Sequence, residues 1–499
     1  MTSCMRPAGT GVDRAVGSTA PGRRDDMVLG LHVFRSRTRG RPKVGLTASP
    51  VGLWQYLNAQ AVAFGTSSGN KWCDSPSTMR ANQNYLVWFA GVQWDAIRGT
   101  DRHMVTALSR LFNILWVDPP VSPVASTRGN DVTHRPFRPR LSAASDRVMR
   151  LTPVALPGLT RWGVRATTAP LVRVQVRWAI RRTGIRPLAV VATRLDDVLG
   201  RWGNDVLDVL YGTDDYVAGA ELMKLPVRWL QVQEKRALTR ADVVIAISDQ
   251  LADRWVGLGA APLIIPNGCC DAPEHGGVLP PEALRLPRPL VGLVGQLSDR
   301  IDLDIVEAIV EAGFSLLVVG PKDPRWEPER FANLISRPGV YFTGRVPAEE
   351  VPSYLATIDV GITPYRDSPF NRASFPLKTL EYLSAGRPVV STGLRSARWL
   401  KADLVTRQLE TDDEQILALA DDAASFVDAV RSLTGGTREP GAAKYHLGTG
   451  RVMQGRADSC RRFANVHSWS RRADAFASAI GLPGSQSDPE PESSRPSHG

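Results

Sequence analysis

Lys378 and Glu381 stand three residues apart in the stretch NRASFPLKTLEYLSAGRPVVST, residues 371–392. A helix there carries both side chains on one face. Ser374 is placed to cap that helix, and Pro376 suits its first turn. Gly386 stops it and Pro388 prevents its return. A helix N-terminus attracts a diphosphate, and a lysine in the first turn strengthens the pull. A carboxylate one turn further in can accept hydrogen bonds from two ribose hydroxyls. Together these groups describe a nucleoside-diphosphate site. The same pair also fits an ordinary i,i+3 surface ion pair, so the helix alone leaves both readings open.

Three turns in the same half add cations. LVGLVGQLSDRID (290–302) is a strand ending in Gly295, followed by a polar turn with Arg300. A glycine there lets the backbone approach a phosphate, and arginine can neutralise it. LLVVGPK (316–322) repeats the arrangement with Lys322, and FTGR (342–345) with Arg345. Each has a simple turn explanation. Basic residues at successive strand ends of one domain are harder to dismiss. No G-x-G-x-x-G is present, which argues against a dinucleotide.

The elements that must position these groups alternate along the chain. Apolar strand runs are expected at 85–90, 113–118, 148–154, 187–192, 206–211, 241–248 and 262–266. Helices are expected near 101–112 and at 171–183, 228–239 and 250–258. After a turn at 266–269 and a Pro-rich stretch, the alternation restarts. Strands are expected at 290–295, 315–320, 339–343, 359–364 and 388–391. Helices are expected at 303–312, 348–356, 377–385 and 414–433. Short apolar strands alternating with helices mean an α/β fold with parallel sheets covered on both faces. Two doubly wound domains in tandem place a cleft at the C-terminal edges of their sheets.

The expected division is 1–83 an unpatterned basic extension, 84–270 a first domain, 271–289 a linker and 290–436 a second domain. A loop at 437–460, an amphipathic helix at 461–481 and a disordered tail at 482–499 complete it. The first 83 residues read either as a flexible basic arm or as an extension ahead of a start at Met79. The second is expected, because patterned sequence begins directly afterwards.

Of 499 residues, 43% are hydrophobic and 22% charged, as in soluble globular proteins. No apolar run reaches the roughly 20 residues of a membrane helix, and no signal-peptide pattern opens the chain. Five cysteines (Cys4, Cys73, Cys269, Cys270, Cys460) without C-x-x-C spacing argue against a disulfide framework or zinc and suit a reducing compartment. The net charge of +11 raises nucleic acid as a partner. Residues 1–83 hold eleven Lys/Arg against four Asp, so most of that charge lies outside the patterned sequence and no nucleic-acid partner is expected.

The segments GRVPAEEVPSYLATIDVGITPY and PLKTLEYLSAGRPVVST resemble the C-terminal domain of GT-B glycosyltransferases of the group 1, family 4 type. The nearest likeness is to bacterial enzymes of teichuronic-acid and other surface-polysaccharide synthesis. LYGTDDY, LTRADVVIAIS and IIPNGCC look like the matching first-domain and hinge segments, and RRFANVHSWSRRADAF resembles the terminal helix that crosses back onto the first domain. The resemblance covers about residues 85–480.

It implies two Rossmann-like domains, an interdomain cleft and a C-terminal crossover helix. It also implies transfer of a hexose from a nucleoside-diphosphate sugar to a hydroxyl of a glycan or lipid-linked acceptor. The donor is a substrate, and no cofactor or metal is expected; cations and helix dipoles would stabilise the leaving diphosphate. Carried over residue by residue, Glu381 holds the ribose and Lys378 the diphosphate. Gly295 and Arg300 line the phosphate path, with Ser374, Lys322 and Arg345 nearby. Many members carry a Glu eight positions before the ribose Glu, contacting the donor sugar. Ala373 stands there in this chain, leaving backbone amides around 373–375 to take its place. A second basic residue beyond Arg300 is also missing, with Asp302 and Asp304 in that stretch.

In the first domain Gly91 follows the first strand and is expected against the donor. Asp214 and Asp215 follow a later strand, where one could orient or deprotonate an acceptor hydroxyl. A helix cap is the alternative, and an isolated Asp-Asp makes a poor metal site. Arg173, Arg177 and Arg181 recur at i,i+4 beside apolar residues. That stripe fits peripheral contact with an anionic membrane or a plain solvated face. The expected location is cytoplasmic, with possible attachment to the inner face of the plasma membrane. A nucleotide-sugar epimerase of the same fold and a non-catalytic nucleotide-sugar binder are the competing readings.

Overall fold

The computed structural model describes the strands β1 (Val33–Thr38) and β2 (Arg41–Leu46) and residues 84–96, 98–122, 138–156, 162–270, 280, 283, 285–409, 415–435 and 449–481. β1 and β2 pair antiparallel, inside the stretch expected to lack strand pattern. The rest of that extension, part of the linker and the tail expected to be disordered lie outside the described residues.

The first sheet has eight strands: β3 (Tyr85–Phe89), β4 (Asn113–Val117), β5 (Arg140–Ser145), β6 (Val148–Thr152), β7 (Pro187–Ala192), β8 (Leu207–Gly212), β9 (Val243–Ala246) and β10 (Leu263–Ile264). Their order is β10-β9-β8-β7-β3-β4-β6-β5. All pairs are parallel except β5–β6. Helices α1 (Thr100–Leu108), α2 (Trp162–Thr183), α3 (Val227–Arg240) and α4 (Asp249–Val256) belong to this half. β3 and β4 are buried almost throughout, as strands covered on both faces must be.

The second sheet is wholly parallel: β11 (Leu290–Val294), β12 (Ser315–Val319), β13 (Val340–Phe342), β14 (Val360–Thr363), β15 (Val389–Thr392) and β16 (Leu417–Ala420), in the order β13-β12-β11-β14-β15-β16. Its helices are α5 (Leu303–Glu311), α6 (Pro328–Ile335), α7 (Val351–Thr357), α8 (Pro369–Ala373), α9 (Leu377–Ser384), α10 (Arg395–Thr406) and α11 (Ala423–Leu433). Strand order reverses direction between β3 and β7 in one sheet and between β11 and β14 in the other. Ligands of open α/β sheets bind at the carboxyl ends of such strands. Gly91 and Thr193 mark that point in the first sheet, Gly295 and Tyr365 in the second. This is the GT-B architecture.

The helix expected at 414–433 is instead β16 followed by α11. Leu417–Ala420 is an apolar edge strand, and Asp422 starts a new helix through a capping box with Ser425. The single terminal helix is two, α12 (Thr449–Val466) and α13 (Trp469–Ala479), and it begins inside the expected loop. The break is made by the hinge strand. Cys269 donates its N–H to His467 O and accepts from Trp469 N, and the Ser468 side chain caps α13.

α12 packs on α9 of the second domain, and α13 on α1 of the first. Phe476 of α13 completes the first core, its ring 5.8 Å from both Trp88 and Tyr211. A buried polar chain bolts the hinge. Arg472 donates to His467 Nδ1 (2.6 Å), and His467 Nε2 donates to Asp403 (3.1 Å), which Arg407 also holds. Burial pushes His467 down to about 4, so the ring is neutral and can relay the two bonds. No helix among the described residues is long and apolar enough to cross a membrane.

Candidate functional site

α9 starts at Leu377 with Pro376 in the cap position and no side-chain cap. Ser374 is therefore not its cap. It ends α8, and its hydroxyl donates to Phe370 O at 3.0 Å. Of the first N–H groups of α9, that of Leu377 is taken by Phe375 O (2.9 Å), and no side chain caps the ones that follow, where an anion can meet them. Tyr382 fastens the helix to the sheet. Its hydroxyl accepts from Val294 N at 2.7 Å, and its ring fills the space a side chain at Gly361 would take.

Lys378 Nζ and Glu381 Oε2 pair at 2.6 Å. Burial works against the lysine ammonium, but Glu381 more than offsets it and its pKa is raised. Gly295, at φ +150°, lies directly against the Lys378 stem: a Cβ there would meet Lys378 Cε at 3.5 Å. Arg300 shares Tyr365 as a neighbour with Lys378 and is locked in place. Its Nε donates to Asn371 Oδ1 (2.8 Å), Asn371 returns a bond to Arg300 O (3.0 Å), and the guanidinium rests near the Tyr365 and Phe370 rings. A small cleft lined by Arg300, Asn371, Ser374, Pro376, Thr392 and Ser396 opens there.

Lys322 does not join this group. Its ammonium donates to the carbonyls of Asp323 and Trp326 in its own loop. Arg345 stands exposed after β13. The expected substitution by amides around 373–375 is limited too. Ser374 N already bonds Phe370 O and Asn371 O, and Ala373 is buried.

From the first domain, Asp214 and Asp215 separate in role. Asp215 is buried, accepts from Ala218 N (2.9 Å) and pairs with Arg254 (2.9 Å), so it holds the turn. Asp214 keeps partial exposure and faces Arg300 and Ser374 across the cleft. Burial pushes its carboxyl up to about 6, with Arg300 opposing and Asp101 and Asp215 adding. The domains meet at this point through Ser248 Oγ, which donates to Ala373 O at 2.6 Å. Gly219 leaves room for the Phe370 ring.

Two further residues gave no signal in the sequence. Asp101, in the first turn of α1, accepts from Gly91 N (2.8 Å) and Thr193 Oγ1 (3.0 Å) and so shapes the Gly91 turn. His103, two residues on, stacks on Trp469 and lies 3.5 Å from Cys270 Sγ. Burial lowers its pKa, and it also feels Glu381 and Lys378, which places it opposite the α9 pair. Acidic first turns and lone histidines are common in helices; only the fold brings these two to the cleft.

Burial raises Asp101 from 3.8 to about 6. The folded chain then keeps a proton that the unfolded chain loses across this window. Stability therefore falls as pH rises from 3.8 to about 6 and is level above. Asp101→Asn keeps an acceptor for Gly91 N and should remove that fall, on the order of 3 kcal/mol. Unfolding measured for both proteins across this window checks it; parallel profiles contradict it.

The arginine stripe is not one face. Arg173 pairs with Asp197 at 3.1 Å, and Arg177 donates to Arg201 O at 2.8 Å. Both lie against the first domain, while Arg181 is exposed. Among the described residues no group of three or more His, Cys, Asp or Glu could hold a metal ion.

Residues 288–435 match the family described as "Glycosyl transferases group 1". The putative teichuronic acid biosynthesis glycosyltransferase TuaH of Bacillus subtilis (strain 168) is 36% identical over 125 residues. That match spans 25% of this chain and 31% of the relative's length. The sucrose-phosphate synthase of Thermosynechococcus elongatus superposes with a TM-score of 0.54 at 17% identity, over 79% of this chain and 98% of that one. HepE of Anabaena, solved in complex with UDP and glucose, gives 0.52 at 14% identity, over 80% and 100%. The family match falls on the second domain, and the structural likenesses are to the two-domain GT-B fold.

Proposed function

We propose that the chain transfers a hexose from a nucleoside-diphosphate sugar to a hydroxyl of a glycan or lipid-linked acceptor, in cytoplasmic synthesis of a cell-surface polysaccharide. The observation that carries this is the Lys378–Glu381 pair at the uncapped start of α9. It is set against Gly295 at one switch point and faced by His103 from the other domain, while Asp214 of that domain faces Arg300 and Ser374. The teichuronic acid relative and the UDP and glucose held by HepE support the chemistry.

The α9 N–H groups, Lys378 and Arg300 hold the diphosphate, and Glu381 takes the ribose hydroxyls. As the sugar–phosphate bond breaks, negative charge grows on the leaving diphosphate, where the helix terminus and both cations stabilise it without a metal. Asp214, ionised at neutral pH, takes the proton of the attacking acceptor hydroxyl. Asp215 keeps the turn that aims it. Asp214→Asn should lower kcat by about 100-fold and leave nucleotide binding unchanged. A variant with wild-type turnover removes Asp214 from this role.

A non-catalytic nucleotide-sugar binder is the second reading, favoured by the buried Ala373 at the sugar end. Nucleotide binding without turnover of any nucleotide sugar on glycan or lipid-linked acceptors would decide for it.

A further inference from the structure

α2 is apolar on two faces. Val172, Val176 and Ala179 are buried in the first domain. The opposite face carries Leu171, Val174 and Trp178, at i, i+3 and i+7, which are 38%, 61% and 39% exposed. Leu156, 50% exposed, extends this face. Its segment is clamped along the helix by Gln175, which bonds both the N–H (2.8 Å) and the C=O (2.7 Å) of Val154. A surface helix ordinarily turns polar residues to water.

The charges around the stripe are of one sign. α2 has no acidic residue in its 22 positions. With Arg173 and Arg177 engaged by the domain, Arg181, Arg182 and Arg186 stand exposed at the C-terminal end of the stripe. The Arg182 guanidinium lies 5.8 Å from the Trp178 ring. Apolar side chains, an aromatic at the boundary and cations beyond it match the depth profile of a bilayer surface.

We propose that the outer face of α2 docks onto an anionic lipid bilayer. Leu156, Leu171, Val174 and Trp178 enter the headgroup–acyl boundary, and Arg181, Arg182 and Arg186 meet anionic headgroups. This surface is independent of the transfer reaction, and no residue of the stripe lines the cleft.

The test is flotation of the full chain with vesicles of phosphatidylcholine, alone or mixed equally with phosphatidylglycerol. Two variants are compared, V174S/W178S and R181Q/R182Q, with nucleoside-diphosphate binding measured in parallel to show that each is folded. Wild type should float with the anionic vesicles only. Each variant should lose on the order of tenfold or more in partitioning at unchanged nucleotide affinity. Equal flotation of all three proteins would assign the binding to the basic extension and overturn the proposal. No flotation of wild type overturns it too. So does self-association of wild type that V174S/W178S abolishes, since the face is then a contact between copies.

Discussion

Glu381→Ala is expected to bind a nucleoside diphosphate roughly tenfold to a hundredfold more weakly than wild type, the value of a charged hydrogen-bonding partner. The same variant should bind inorganic pyrophosphate as well as wild type or better. The two halves of this expectation come from one bond. Glu381 holds Lys378 at 2.6 Å, so the ammonium that should meet a phosphate is shared with a carboxylate. Removing that carboxylate frees the cation for a ligand without ribose and deprives a ligand with ribose of its acceptor. Calorimetric titration with both compounds reads the two effects separately. Wild-type affinity for the nucleoside diphosphate would sink the ribose assignment. Parallel losses for both compounds would mean that the substitution damages the helix rather than a ribose contact.

Gly320→Ala should destabilise the second domain by about 3–5 kcal/mol, combining backbone strain with overpacking. Gly320 has φ +132°, and a Cβ there would fall 1.9 Å from Gly295 O. The obstructing atom is backbone, so no rotamer relieves it. Gly295 is itself the residue against Lys378, and any shift that makes room moves the phosphate path. Hydrogen exchange along the β11–β12 ladder should lose protection of that size, and nucleoside-diphosphate affinity should fall with it. Wild-type protection and affinity together would contradict the close approach of the two turns.

The central strands and the α9 helix were legible because their signals are local. Buried apolar runs with turn residues at their ends identify strands such as β3, β11 and β12. The spacing of Lys378 and Glu381 placed them on one face of that helix, though it fitted a plain surface ion pair as well. The readings that failed turned on which atoms each polar group bonds, some near along the chain and some far. Ser374 looked like a cap until α8 claimed its hydroxyl. Lys322 followed a strand-end glycine as a phosphate ligand would, yet carbonyls one and four residues on hold it. Arg173 and Arg177 share a period with Arg181, but Asp197 and Arg201 O turn them inward. Asp101 and His103 gave no pattern, because their neighbours come from β7, the hinge and α13. The terminal helix is divided by Cys269, nearly two hundred residues upstream, which no window of sequence around His467 contains.

The return of α13 to the first domain has a consequence for biosynthesis. A chain emerging from the ribosome ordinarily folds its N-terminal domain first, at about 5–20 residues per second. Here Trp88 and Tyr211 lack Phe476 until α13 is made. After the hinge is synthesised, that helix follows roughly 10–40 s later at those rates. The second domain, which also needs α12, gains it at nearly the same moment. Both cores therefore close together, late, and the nascent first domain spends that interval with an apolar surface open to chaperones.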